Sequence, residues 1–146
     1  MSSASWAAII AAGALFFPAM GPRWTADASM PGGDMPGADF EGWLAGFRRR
    51  HSWLPPDLAA HYGRLYGTRA GRVIDGAGRV VDLGKHFGGL FYEREAAYLV
   101  AQEWAQTAPD ILERRTKHGL HLDRAEREAF AVWLEQHQPV SVRLSA

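Results

Sequence analysis

Apolar side chains recur at helical spacing in several separate stretches of the chain. The first stretch follows Asp39, a residue type that commonly caps helix N-termini. Its apolar residues fall at positions i, i+3, i+4 and i+7, and they are Phe40, Trp43, Leu44 and Phe47. This spacing predicts a helix over residues 40–51. Three arginines at 48–50 fill its last turn, where cations suit the negative end of the helix dipole.

A second helix is predicted to begin at the proline pair 55–56 and to end at Gly67. Its buried face should carry Leu58, Tyr62, Leu65 and Tyr66. Thr68 is then expected to cap a short third helix over residues 69–74. The glycine-rich residues 75–89 match neither a dinucleotide-binding nor a P-loop fingerprint, so we expect an ordered loop there, although Val80 and Val81 would also suit a short strand.

Two further helices are predicted in the second half of the chain. One covers residues 90–106. A stripe of mostly small residues follows its face, with Leu99 and Val100 beside it, and consists of Ala97, Ala101, Trp104, Ala105 and Ala108. The other starts at Asp123, where Glu126 completes a capping box, and ends before Pro139. Its apolar face is formed by Phe130, Trp133, Leu134 and His137.

Residues 103–122, between these helices, carry the densest helix start and stop signals in the chain. Thr107 and Asp110 have the spacing of a capping box, and Pro109 suits the first turn of a helix. This helix is predicted to run to Lys117 and to end in a left-handed Gly119. The structural motif that we single out here consists of Glu103, Thr107, Asp110, Arg114, Arg115 and Gly119.

The charged residues of this motif are expected to tie helices together. Asp110–Arg114 and Glu113–Lys117 have the i, i+4 spacing of ion pairs along one helix face. Arg115 should point to another face and pair with a neighbouring helix. Replacing Arg115 with Ala is therefore expected to lower stability, because its partner groups would lose a hydrogen bond.

The sequence predicts a domain boundary near residue 38. Residues 6–20 form an apolar run that is shorter than the ~20 residues of a transmembrane helix, and no basic residues precede it as in a signal peptide. We expect a helix that packs against another surface. The Gly- and Pro-rich residues 21–38 should form a connector, since such a long irregular loop is uncommon inside a domain. Residues 39–146 are then predicted to form an all-α domain, a small bundle of about six short helices.

Composition and charge exclude several functions. Lys and Arg number 16, and so do Asp and Glu, whereas nucleic-acid-binding domains usually carry a basic excess. The chain has no cysteine, which excludes disulfides and cysteine-ligated metals. The six histidines are scattered, and only His118 and His121 are close in sequence, so we expect no metal site. Glu95 and Glu103 should form ion pairs with nearby basic residues, and no catalytic or cofactor-binding residue is predicted.

Four segments of the chain resemble one family in order and in spacing. They read GPRWTADASMPGGDM, HYGRLYGT, DLGKHFGGLFYEREAAYLVAQEWA and TAPDILERRTKHGL. They are similar to the C-terminal portion of the FAD-dependent glycerol-3-phosphate dehydrogenases of aerobic respiration and of the related glycerophosphate oxidases. The resemblance covers residues 14–146, and residues 39–138 correspond to the small helical domain that ends these enzymes. Residues 1–38 would then include the end of the flavin domain.

The resemblance implies an enzyme that oxidises sn-glycerol 3-phosphate to dihydroxyacetone phosphate. FAD would accept the hydride, and quinone, or oxygen in the oxidases, would accept the electrons. The family's glycine-rich fingerprint and catalytic residues have no counterpart in this chain. The resemblance therefore implies a fragment that is structural, binds no FAD and is inactive alone. Its partner would be the flavin and substrate domain of a cytoplasmic enzyme, peripheral to the inner face of the cytoplasmic membrane and without a transmembrane segment.

Two other functions are weighed against this one. The chain could be a free-standing helical module that binds a protein partner through its tryptophans and the arginines at 48–50. It could also carry a nucleic-acid-binding helix-turn-helix at residues 111–136, but the zero net charge and the two acidic caps disfavour that function.

Overall fold

The computed structural model describes residue 28 and residues 30–137. This part of the chain contains five α-helices, one π-helix, four short 3₁₀-helices and one two-stranded hairpin. The predicted all-α class is confirmed, with the hairpin as an addition. The apolar run at residues 6–20 and the first part of the connector lie outside the described residues.

Helices α1 (Phe40–Arg50) and α2 (Pro56–Tyr66) pack closely against each other. Asp39 caps α1 as predicted, because its carboxylate accepts a hydrogen bond from the Gly42 N–H at 2.9 Å. A Cβ atom at Gly63 of α2 would lie 3.0 Å from Leu44 Cδ1, so glycine allows the two helices to approach. Residues 48–50 are exposed at the end of α1.

The chain after α2 contacts the preceding connector. Gly67 ends α2 in a left-handed conformation, and a 3₁₀-helix, Gly67–Arg69, leads into α3, Ala70–Val73. Thr68 was predicted to cap this helix, but it does not. Its N–H donates instead to the Gly32 carbonyl at 3.0 Å, and its hydroxyl donates to Asp34. The prediction failed because Thr68 lies inside the 3₁₀ turn, two residues before the helix, and Arg69 takes the N-cap position.

Residues 80–92 form a 3₁₀-helix, Val80–Leu83, followed by an antiparallel hairpin of β1, His86–Gly88, and β2, Phe91–Tyr92. Gly88 and Gly89 have positive φ angles of 134° and 53°, which L side chains rarely adopt. The hairpin delays the next helix, so α4 covers Glu93–Gln102 instead of the predicted residues 90–106.

The predicted alanine stripe of α4 is wrong within the helix, although Ala105, which follows the helix, is buried. Ala97 and Ala101 are exposed, and the buried residues of the helix are Glu95, Ala96, Tyr98 and Leu99. The helix ends before Trp104, which is 85 % exposed. Leu65 on α2, predicted to be buried, is also 43 % exposed, because it borders a cavity rather than the core.

The last third of the described chain contains the π-helix Asp110–Arg115, the 3₁₀-helix His118–Leu120 and α5, Arg124–His137. The predicted capping box of α5 is present, since Asp123 and Glu126 each accept the other's N–H at 2.8 and 2.9 Å. Phe130, Trp133 and Leu134 are buried as predicted, whereas His137 is exposed and stacks on Trp133.

One continuous apolar core joins these elements, and aromatic rings of the hairpin meet those of α5 inside it. The Phe87 ring lies 5.0 Å from Phe130 and 5.1 Å from Trp133, both nearly edge-on. Over the residues that the structure describes, every helix is too short or too polar to cross a membrane.

Candidate functional site

A fully buried carboxylate lies at the junction of three elements. Glu95 of α4 is 0 % exposed. Its Oε1 is 3.1 Å from Nε2 of His61 on α2, and its Oε2 is 3.2 Å from Nε2 of His118 in the 3₁₀-helix. The Tyr66 hydroxyl donates to Oε1 at 2.7 Å. We refer to His61, Glu95 and His118 as the His–Glu–His cluster.

Local packing fixes the position of His118 in this cluster. Its ring stacks on Phe91, with the ring centroids 4.4 Å apart. The backbone N–H of His118 donates to the buried Thr116 hydroxyl at 3.3 Å. That hydroxyl donates to the Ile111 carbonyl at 2.6 Å. The hairpin and the end of the π-helix therefore hold the imidazole before any ligand binds.

The environment of the cluster favours an ionised Glu95. Burial alone would raise the pKa of its carboxyl group, but hydrogen bonds from His118 and His61 and their charge outweigh burial and leave this pKa below its ordinary value. Burial and the neighbouring Glu95 raise the pKa of the Tyr66 hydroxyl. Tyr66 therefore stays protonated at neutral pH and can donate to the carboxylate.

A neighbouring buried hydroxyl has no such partner. Tyr62 of α2 is 0 % exposed, and its hydroxyl makes no hydrogen bond within residues 30–137. Burial, followed by the nearby Glu95, raises the pKa of this hydroxyl. Its role in the described structure is therefore to fill the core with its ring.

Two members of the cluster also line a cavity of about 300 Å³. Its walls are formed by His61, Leu65, Gly89, Leu90, Lys117, His118 and His121. The Lys117 ammonium donates to the Glu113 carbonyl at 2.6 Å. The cavity thus combines apolar walls with imidazole rings, and it reaches the two histidines that hold Glu95.

The structural motif predicted at residues 103–122 lies outside this cluster. Its capping box is present, because the Thr107 N–H donates to Asp110 at 3.0 Å and the Asp110 N–H donates to Thr107 at 3.2 Å. Arg114 pairs with Asp110 at 3.0 Å. Glu103 pairs with Arg69 at 3.4 Å, which links the end of α4 to the 3₁₀-helix after α2.

Other expectations for this motif are wrong. The helix ends at Arg115, since the N–H of Thr116 donates to the Ile111 carbonyl five residues earlier and closes a π turn. Lys117 bonds the backbone of Glu113 rather than its carboxylate. Arg115 is exposed and forms no hydrogen bond or ion pair with any described residue, so the expected tie to another helix is not found there.

Gly119 has a different role from the one predicted. It lies inside the 3₁₀-helix His118–Leu120 and is not among the described glycines with positive φ. A Cβ atom at this position would lie 3.1 Å from the Leu112 carbonyl oxygen. A side chain at this position would press on the backbone of the π-helix, so glycine favours the close packing that places the adjacent His118.

Sequence reasoning missed the His–Glu–His cluster because its members are distant in sequence. Glu95 lies 34 residues from His61 and 23 from His118. The expected basic partners on its own helix do not contact it, and histidines from two other elements do. One signal was available, since Glu95 stands four residues before the buried Leu99, on the apolar face of the helix.

The flavin cofactor implied by the family resemblance does not fit the described residues. A dinucleotide fold places the pyrophosphate between a parallel strand and the N-terminus of the following helix. The sheet within residues 30–137 is a two-stranded antiparallel hairpin. A cavity of about 300 Å³ is at the lower limit for small ligands in general.

Comparison with known proteins identifies the family. A family model described as the C-terminal domain of alpha-glycerophosphate oxidase matches residues 24–135. The chain belongs to this family. The resemblance seen in the sequence is thereby confirmed, and a free-standing interaction module is not favoured.

Three relatives of this chain are dehydrogenases of phosphorylated polyols. D-erythritol 1-phosphate dehydrogenase of Brucella abortus is 54% identical over 119 residues, which are 82% of this chain and 24% of the relative. Glycerol-3-phosphate dehydrogenase of Pseudomonas aeruginosa is 41% identical over 90% of this chain and 25% of its own length. Aerobic glycerol-3-phosphate dehydrogenase of Escherichia coli is 38% identical over 90% of this chain and 26% of its own length. The chain thus spans about a quarter of the length of these relatives.

Proposed function

We propose that this chain acts as the helical C-terminal domain of a flavin-dependent dehydrogenase that oxidises a phosphorylated polyol. The observation that carries the proposal is the family match over residues 24–135, which includes almost all of the described fold. The relatives named above are dehydrogenases of glycerol 3-phosphate or D-erythritol 1-phosphate. Both substrates are short polyols that carry one phosphate.

In this proposal the substrate is sn-glycerol 3-phosphate, and its product is dihydroxyacetone phosphate. FAD in a separate domain accepts the hydride, and quinone receives the electrons. D-erythritol 1-phosphate is a second candidate substrate. It is supported by the 54% identity to D-erythritol 1-phosphate dehydrogenase, which is higher than the 41% and 38% identities to the glycerol-3-phosphate dehydrogenases. The helical domain itself contributes stability and shape to the enzyme.

The proposed partner of the domain is the flavin and substrate domain of the same enzyme. Several large apolar side chains are available for such a contact, since Trp104 is 85 % exposed, Leu120 78 % and Val81 71 %. Burying one such side chain contributes about 1.5–3 kcal/mol. We further propose that the assembled enzyme is a peripheral protein at the inner face of the cytoplasmic membrane.

The decisive experiment replaces the C-terminal quarter of the Pseudomonas aeruginosa enzyme with residues 24–146 of this chain. A truncated enzyme that ends before the replaced segment serves as the control. The chimera should retain bound FAD and reduce a soluble quinone with glycerol 3-phosphate, whereas the truncated enzyme should lose stability. A chimera no more stable than the truncated enzyme would contradict the proposed role.

A parallel chimera built on the Brucella abortus enzyme tests the second substrate. Because the domain must fit the body that it packs against, the higher identity predicts a higher melting temperature for this chimera relative to its own parent. A lower relative melting temperature would favour glycerol 3-phosphate.

The chain alone should neither bind flavin nor turn over substrate. Titration with FAD, followed by flavin fluorescence, should show no saturable binding at micromolar concentration. Micromolar binding, or oxidation of glycerol 3-phosphate by the chain alone, would show that the catalytic function is not confined to another domain.

A further inference from the structure

We propose that the His–Glu–His cluster is a zinc site with one open coordination position that faces the cavity. This site goes beyond the proposed function, which assigns no ligand to the helical domain. The proposed ligands are two imidazole nitrogens and one carboxylate, which converge from three elements of the fold.

The distances between the three ligand atoms suit one ion. Zinc binds imidazole nitrogen at about 2.0–2.1 Å in tetrahedral geometry, which separates neighbouring ligand atoms by roughly 3.3 Å. Glu95 Oε2 lies 3.3 Å from His61 Nε2 and 3.2 Å from His118 Nε2. The three ligand atoms all lie within 4.8 Å of one another. Small side-chain shifts would therefore bring all of them onto a single ion.

The types of ligand select the metal. Two imidazoles and one carboxylate form a ligand set of open zinc sites, in which water occupies the fourth position. Magnesium and calcium prefer oxygen ligands throughout, so two nitrogens disfavour them. His61 and His118 both line the cavity of about 300 Å³, from which a water molecule can reach the ion.

Groups around the ligands hold them in place. The Tyr66 hydroxyl bonds Glu95 Oε1 at 2.7 Å, which is the kind of outer contact that orients a metal-binding carboxylate. Phe91 stacks on the His118 ring. The cation that shares the cavity, Lys117, is held on the Glu113 carbonyl at 2.6 Å. Glu95 is fully buried, so its negative charge is little screened from a bound ion.

A bound ion would connect three parts of the fold that hydrogen bonds and contacts between aromatic rings already join at this point. These parts are α2, α4 and the 3₁₀-helix His118–Leu120.

The test uses the full chain, first freed of metal with a chelator. Zinc is titrated in competition with a chromophoric chelator, and cobalt(II) is titrated separately as a spectroscopic substitute. We expect one zinc per chain, a zinc-dependent rise in melting temperature and the intense visible absorption of four-coordinate cobalt. His118→Gln and His61→Gln should abolish the cobalt bands, whereas His137→Gln, on the surface of α5, should leave them unchanged.

Tyr66→Phe keeps all three ligands and serves as the second variant. Loss of its hydrogen bond to Glu95 should weaken zinc binding by about 10–100-fold. The proposal is overturned if the wild-type chain takes up no zinc at 100 µM, or if His137→Gln weakens binding as much as His118→Gln. It is also overturned if folded His118→Gln retains wild-type affinity. These measurements concern the chain alone, so their failure leaves the proposed enzymatic function untouched.

Discussion

A single carboxylate determines how the middle of this domain is held together. Glu95 accepts hydrogen bonds from His61, His118 and Tyr66 and has no contact with solvent. An ionised carboxylate without partners costs several kcal/mol to bury, and three donors offset that cost. The same arrangement makes the site sensitive to substitution, since the loss of the carboxylate leaves three donors without their acceptor.

Replacing Glu95 with Ala in the metal-free chain should lower the free energy of unfolding by about 3–5 kcal/mol, as is typical when one partner of a buried ion pair is removed. Chemical denaturation in the presence of a chelator measures the loss. Glu113→Gln is the matched control, because this exposed glutamate makes no side-chain bond among the described residues and should change stability by less than about 0.5 kcal/mol. Equal effects at both positions would mean that the buried cluster contributes little.

Trp104 is the second residue with unusual local energetics. It follows α4 in a left-handed conformation with φ of 55°, and it is 85 % exposed. This conformation costs an L-residue about 1–2 kcal/mol. Glycine avoids that cost, but it loses about 0.5–1 kcal/mol of backbone entropy on folding, so only part of the cost would be recovered. Helices usually have glycine at this position, so tryptophan there lowers the stability of the isolated domain.

Trp104→Gly should therefore stabilise the isolated chain by up to about 1 kcal/mol. Trp104→Ala removes the same ring but retains the positive φ, so it should give no gain. Denaturation of the three proteins side by side distinguishes the two changes. If alanine stabilised as much as glycine, exposure of the ring rather than backbone conformation would be the cause.

At the scale of elements, the capping box at Thr107 and Asp110 anchors the start of the π-helix. Hydrogen bonds with Thr107 and Gln106 and the charge of Arg114 hold the pKa of Asp110 below its ordinary value. A lowered folded-state pKa means that the ionised form stabilises the fold. That stabilisation is complete above the unfolded pKa, which is about 4, and is lost as the pH falls through the folded value.

Asp110→Asn should accordingly lower the melting temperature at pH 7, and the difference from wild type should close as the pH falls below about 4. Thermal melts between pH 2.5 and 7 follow the two proteins. Arg115→Ala, on the same helix, is the control, because Arg115 has no described partner and should leave stability within about 0.5 kcal/mol at every pH. A difference that widened on acidification would reverse the sign assigned to Asp110.

The sequence predicted those elements in which caps and apolar faces agree. Helix α1 and helix α5 show this, since Asp39 and Asp123 cap them and their apolar residues point to the core. The start of α4 was placed three residues early, because Gly88 and Gly89 form a hairpin turn whose two strands are too short to show a period. The π turn at Thr116 was also missed, since it depends on a hydroxyl bond that spacing does not reveal.

The His–Glu–His cluster was beyond sequence reasoning for a different reason. Each member has an ordinary local explanation, as a polar residue within an amphipathic helix or beside a glycine. Only packing of α2, α4 and the 3₁₀-helix His118–Leu120 brings the three side chains together. The absence of cysteine and the scattered histidines gave no spacing from which such a cluster could be predicted.

At the scale of the whole molecule, the connector is part of the described fold. The carbonyl of Gly32 accepts the Thr68 N–H at 3.0 Å, and Asp34 accepts the Thr68 hydroxyl. We therefore expect the chain that precedes residue 39 to approach the domain at the end of α2. A domain boundary between residues 38 and 39 remains a prediction. Cutting the chain there would remove both of these hydrogen bonds.

Deleting residues 1–38 should leave a folded, more soluble helical domain. It should also cost about 1–3 kcal/mol, because two hydrogen bonds to Thr68 are lost. Deleting residues 1–29 keeps both bonds and should leave that stability intact. Circular dichroism and thermal melts of the two shortened proteins provide the comparison. Collapse of helicity in both would place the preceding residues in the core of the domain.

The wide sequence separation within the buried cluster also favours its late assembly during folding. Glu95 must meet partners 34 residues before it and 23 residues after it, and closing such loops costs entropy before any contact is gained. The carboxylate should thus acquire its histidines after the folding transition state. Weakening the cluster would then mainly shorten the lifetime of the folded domain and leave the rate at which it forms nearly unchanged.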